Sequence, residues 1–159
     1  MLKLGTIVKD TTTGQSGMLT LMQLEQNGNV YYAFQPTGLN PKTGEPVSTR
    51  WIVDSVIENG VEIIPPYLPE KILGTDATDM ASGYSGKVVS LRLHINGCVH
   101  VSLQSSTILS ETGDVPLSVD FDIRRLVGDA IPKLTEDEKE ISQLNTPSPM
   151  AVKPYSPRI

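Results

Sequence analysis

The residues best equipped for chemistry gather in one short stretch, HINGCVH, which holds His94, Cys98 and His100. Imidazole nitrogens and a thiolate are zinc ligands, but a structural zinc site needs a further donor and a supporting shell of hydrogen bonds. The spacing matches no closed-site pattern. The corresponding stretch of an internal repeat carries Glu25, Asn29 and Tyr31 instead. The trio reads as the polar face of a hairpin, so no metal and no cofactor are expected. Nucleophilic catalysis has less to stand on. SGYSG places Ser85 between Tyr84 and Gly86 without the spacing of a nucleophile elbow, and the repeat puts it in a turn. Asp120 and Asp122 lie two apart on one side of a strand, where a solvated edge is the simpler reading than an acid–base pair. DTTTGQSG lacks the lysine of a phosphate loop, although its backbone amides could form a small anion nest. No catalytic residue is assigned, and a non-enzymatic protein is expected.

The bulk numbers point the same way. A net charge of −5 and no run of basic residues argue against the phosphate-driven affinity of nucleic-acid binders. A single cysteine excludes an internal disulfide and suits a reducing compartment. The opening MLKLGTIVKD has no signal-peptide apolar run, and VEIIPPYLP is too short and too rich in proline to span a bilayer. No membrane partner is expected.

The elements that must position these residues come in two copies. LGTIVKDTTTGQSG at Leu4 returns as LGTDATDMASGYSG at Leu73, an offset of 69. Identities include Gly5/Gly74, Asp10/Asp79, Gly14/Gly83, Gly17/Gly86, Gly28/Gly97 and Gln35/Gln104. A domain-sized offset signals a duplicated fold. The alignment needs no gap to Gly44, and a one-residue shift beyond it faces Asp54 with Asp122.

Each copy reads as four or five short strands. Asn-Gly between apolar runs marks a hairpin tip. Parity sets its register. A three-residue loop with Gly97 in the left-handed region puts Leu91, Leu93, Ile95, Val99, Val101 and Leu103 on one face. The same loop in copy one aligns Met22 and Leu24 with Val30, Tyr32 and Phe34, and turns Tyr31 outward. The fold expected is all-β: two tandem small SH3-like β-barrels, then a short helix and an extended C-terminal arm. The boundaries are 1–63 for copy one, 64–70 for a stiff proline-rich connector, 71–130 for copy two and 131–159 for the helix and arm. The helix starts at a Thr135 cap with Glu138 three later. The arm, TPSPMAVKPYSPRI, carries four prolines and four apolar anchors, Met150, Val152, Tyr155 and Ile159.

Copy one also resembles a family of short bacteriophage-encoded proteins. Their pattern is roughly K-L-G-x-x-V-x-D-x-x-T-G-x-x-G, an apolar strand, a hairpin, and Gln-Pro before a variable loop. Lys3, Leu4, Gly5, Val8, Asp10, Thr13, Gly14, Gly17, Gln35, Pro36 and Trp51 carry it here. Copy two departs from it at Ala77, Ser82 and Ser105, and the shifted alignment sets Val119 opposite the tryptophan. The resemblance implies a small barrel in a phage protein and transfers no catalytic residue. The turns are also similar to the RNA-binding KOW type of barrel, against which the acidic charge weighs. The function expected is a virion structural or accessory protein, a capsid decoration or tail component made in the host cytoplasm. It would bind other virion proteins or copies of itself through the arm anchors, Trp51 and Tyr31. The alternative is an anti-defence protein that sequesters a nucleotide-like signal, with Tyr31, Trp51, Arg92 or Arg125 contacting it.

Overall fold

The computed structural model describes residues 1–64, 69–107 and 111–133. Copy one contains β1 (Ile7–Asp10), β2 (Ser16–Glu25), β3 (Val30–Pro36), β4 (Arg50–Val53) and β5 (Ile57–Glu58). Copy two contains β6 (Asp76–Asp79), β7 (Ser85–His94), β8 (Val99–Gln104), β9 (Val119–Asp122) and β10 (Leu126–Val127). A 3-10 turn precedes the last strand of each copy, at Asp54–Val56 and at Ile123–Arg125. A single helical turn, α1 (Pro69–Ile72), leads into copy two, so this end of the connector is coiled rather than extended. The helix expected from Thr135 and the arm anchors Met150, Val152, Tyr155 and Ile159 lie outside the described residues.

The fold is all-β, as its alternating apolar runs require. The ten strands form one antiparallel sheet that does not close. Within each copy the order is β5-β1-β2-β3-β4 or β10-β6-β7-β8-β9, and the two copies join where β2 pairs with β7. One core runs through both. Val8, Leu19, Tyr32, Phe34 and Ile52 pack in copy one, and Val88, Leu91, Val101, Leu103 and Phe121 in copy two. Burial of such side chains contributes roughly 1.5–3 kcal/mol each. Sharing one core eases the marginal stability that a unit of this size would have alone.

The hairpins form as parity predicts. Leu24 pairs with Val30 and Leu93 with Val99. The loops close with Gly28 N–H donating to the Glu25 carbonyl and Gly97 N–H to that of His94, both at 2.9 Å. Both glycines sit at φ +86°, where a side chain would strain the backbone.

The copies do not close into the two separate barrels expected: they share one open sheet, because the edge of β2 beyond its bulge pairs with β7 instead of folding back on its own copy. Two further features differ from the sequence-based expectation. First, the offset of 69 holds to the last strand. Tyr31 pairs with Val53 and His100 with Asp122, so Asp122 corresponds to Val53, not to Asp54. Trp51 corresponds to Asp120, not to Val119. Matching identical aspartates favoured the shift, whereas the sheet aligns the core residues Ile52 and Phe121, and a slip by one would turn them out of the core. Second, β2 and β7 are each broken by a bulge, at Thr20 and at Val89. A bulge bends a strand and adds twist. The first part of β2 pairs with β1, and beyond the bulge the same edge pairs with β7. The first part of β7 likewise pairs with β6.

Candidate binding face

Two buried carboxylates fix the turns that shape each copy. Asp10 and Asp79, only 2% and 0% exposed, end β1 and β6. Asp10 accepts from Thr12 N–H at 2.9 Å and from the Thr13 hydroxyl at 3.0 Å. Its own carboxylate thus fills the nest that DTTTGQSG offered to an external anion. Arg50 reaches it at 2.6 Å from β4 and stacks over Phe34, 4.7 Å from the ring centre. The Arg50 hydrogen bond outweighs burial and holds the Asp10 carboxyl at about 2. Asp79 accepts from Ser82 N–H and its hydroxyl, and its arginine is Arg125, at 2.7 Å. Arg125 lies near the Phe121 ring, against which Tyr84 also packs. The Asp79 carboxyl is likewise held well below the carboxylate range, first by Arg125. Sequence reading saw the Asp10/Asp79 identity but not this role. The repeated D-x-x-[TS]-G was the signal that could have found it. These groups are committed to structure.

The open face of the sheet is different. Beyond the bulges, β4-β3-β2-β7-β8-β9 form a six-stranded floor. Its outer side carries the row Val53, Tyr31, Gln23, Arg92, His100 and Asp122, each paired with the next. A parallel row runs Trp51, Ala33, Leu21 and His94, and another Glu25, Ser90, Ser102 and Asp120. The copy-one half is therefore largely apolar. Trp51 is 50% exposed, Val53 39%, and Tyr31 and Leu21 are half-buried beside them.

The copy-two half is polar and hydrogen-bonded throughout. Ser90 donates to Ser102 at 2.9 Å, and Ser102 donates to Asp120. Arg92 donates to Asp120 at 2.8 Å and to Gln23 at 3.0 Å, and Gln23 donates to Glu25 at 3.0 Å. These residues line an open cleft of about 770 Å³ together with Gln26, Asn27, Val89 and Ser118. The Ser90–Ser102–Asp120 chain runs from one hydroxyl to the next and on to a carboxylate, and it orders the floor. Ser85 opens β7 instead of lying in the expected turn, and its hydroxyl is hydrogen-bonded to that of Thr78 on β6 at 2.7 Å.

His94 and His100 do meet, with Nε2 and Nδ1 3.1 Å apart and rings edge to face. Burial, then the neighbouring His100 and Arg92 charges, push the His94 imidazole below its ordinary value. Among the described residues no three or more histidines, cysteines and acids are arranged to hold a metal ion. Asp120 and Asp122 share a face as expected, but both are ion-paired, Asp122 with Arg124 at 2.8 Å. The residues named for a nucleotide-like ligand are divided. Tyr31, Trp51 and Arg92 share the open face, and Arg125 is held at Asp79. Among the described residues no helix is long and apolar enough to cross a membrane.

No protein-family model, curated protein or solved structure matches the chain.

Proposed function

We propose that the protein is a non-enzymatic binding component of a bacteriophage virion, a capsid decoration or a tail accessory. Each copy is read as an SH3-like unit left open between its fourth and fifth strands. The order β5-β1-β2-β3-β4 with a 3-10 turn before β5, repeated in copy two, supports that reading. The resemblance of the opening residues to short phage proteins supports the setting.

One observation carries the binding role: half-exposed Trp51, with Val53, Tyr31 and Leu21, on a sheet face that nothing described in the chain covers. An aromatic on a rigid sheet loses little conformational entropy when a partner covers it, which suits it as an anchor. The hydrogen-bonded half beside it supplies a polar rim. The arm anchors would extend the contact along a neighbouring subunit. Mass spectrometry of purified particles tests the reading. The chain should be present at a fixed copy number, and its absence from particles would overturn the proposal.

A second reading has its own observation, the cleft at Arg92 with a volume near that of small-molecule sites. Arg92 is already neutralised by Asp120, and Glu25 adds negative charge, so the cleft is poorly suited to a phosphate. A rise in melting temperature on adding nucleotides to the purified protein would favour sequestration.

A further inference from the structure

The seam between the copies has a symmetry that duplication alone does not demand. Its five pairs are Leu21–His94, Met22–Leu93, Gln23–Arg92, Leu24–Leu91 and Glu25–Ser90. Exchanging the copies, by adding or subtracting the repeat offset of 69, turns this set of pairs into itself. Leu21–His94 becomes Ser90–Glu25, and Met22–Leu93 becomes Leu91–Leu24. Gln23 and Arg92 are repeat equivalents, and they face each other across the centre.

The flanking contacts obey the same exchange. Gln26 N–H donates to the Val89 carbonyl at 2.9 Å, and its equivalent, Ile95 N–H, donates to Thr20 at 3.0 Å. Thr20 and Val89 are the two bulge positions. Each bulge therefore frees an edge of its strand and supplies the carbonyl that closes one end of the seam. A Cβ on Gly5 would touch Ile95 at 3.5 Å, and one on the equivalent Gly74 would touch Gln26 at 3.2 Å. Two halves joined by arbitrary surfaces would meet head to tail. A patch that meets its own equivalent is the mark of an isologous, twofold interface.

We infer that the Leu21–Glu25 edge is one side of a self-complementary twofold interface, and that its fitting partner is the equivalent Ser90–His94 edge of copy two. The chain is a dimer closed within one polypeptide, and the connector is not what holds the halves together. The centre of the seam also sets which halves pair. Two copy-two edges would oppose Arg92 to Arg92, and like charges directly opposite one another are destabilising. Two copy-one edges would oppose Gln23 to Gln23 without the charge-assisted bond that Arg92 makes. The pairing of copy one with copy two is the favoured combination.

The test uses the full chain with a protease site placed between Ile64 and Pro69, cut to completion after folding. The halves should stay together through size-exclusion chromatography at the mass of the uncut protein. Their separation, folded or unfolded, would overturn the inference. In the cut protein Gln23→Arg sets arginine against Arg92 and should weaken association at least about tenfold. Adding Arg92→Gln reverses the pair and should bring association back to within about threefold, because a twofold seam makes the positions equivalent. Association left as weak as in the single variant would contradict the twofold. None of these readouts depends on whether the protein occurs in a virion.

Discussion

Asp10 and Asp79 hold the same place in their copies yet draw their arginines from different places. Arg50 starts β4, whereas Arg125 ends a 3-10 turn and corresponds to Val56. A buried carboxylate without a cation is costly, so any position able to deliver one serves. Asp10→Ala would remove the acceptor shared by Arg50, Thr12 and Thr13 and should cost about 2 kcal/mol, read as a lower midpoint of urea unfolding. The pH dependence follows from the depressed carboxyl. The unfolded chain takes up this proton near 3.8 and the folded chain only at about 2. The stabilisation is complete above 3.8 and drains away as pH falls towards 2. Melting temperatures across that window should fall steeply for the parent protein and less steeply for Asp10→Asn. Parallel slopes would contradict the assignment. The aspartates were visible in the sequence as repeat identities. Their arginines were not, because the repeat offers no equivalent pair to find.

At the scale of elements, the close approach of neighbouring strands explains two of the repeated glycines. A Cβ on Gly17 would lie 2.4 Å from the Gln35 carbonyl oxygen, and one on Gly86 2.5 Å from that of Gln104. In both copies that glutamine reaches past the strand end to tie the following loop, to Val47 and to Pro116, each at 2.6 Å. Gly86→Ala should force β7 and β8 apart and cost about 2 kcal/mol or more, with an unchanged denaturant slope. A loss below about 0.5 kcal/mol would show that the strands can give way. The hairpin registers were legible because a period of two and an Asn-Gly tip leave only one parity that buries Leu91, Leu93, Val99, Val101 and Leu103 together, although Ile95 at the tip stays 51% exposed. The bulges were hidden by the same rule. Leu19 and Met22 are both core although three residues apart, which an unbroken strand forbids. The β2–β7 seam was hidden as well, since no local pattern names the strand that a free edge will meet.

Across the whole molecule, the duplication has produced halves alike in backbone and unlike in surface. Trp51 and Asp120 occupy equivalent positions on the open face, and so do Val53 and Asp122. The two halves therefore do not offer the same contact twice. They make one face with an apolar end and a polar, ion-paired end, suited to a single partner held in one orientation. Polar rims contribute to orientation more than to strength, so loss of the apolar anchor should dominate. The measurement that bears most directly on this account is the copy number of the protein in purified virions, compared between the parent chain and Trp51→Asp. Circular dichroism would first establish that the variant folds, as expected for a half-exposed residue. The account predicts a fixed copy number for the parent and at least a tenfold loss for the variant, the equivalent of about 1.4 kcal/mol of binding. Full incorporation of a folded Trp51→Asp protein would contradict the docking face, and absence of the parent chain from particles would contradict the virion role itself.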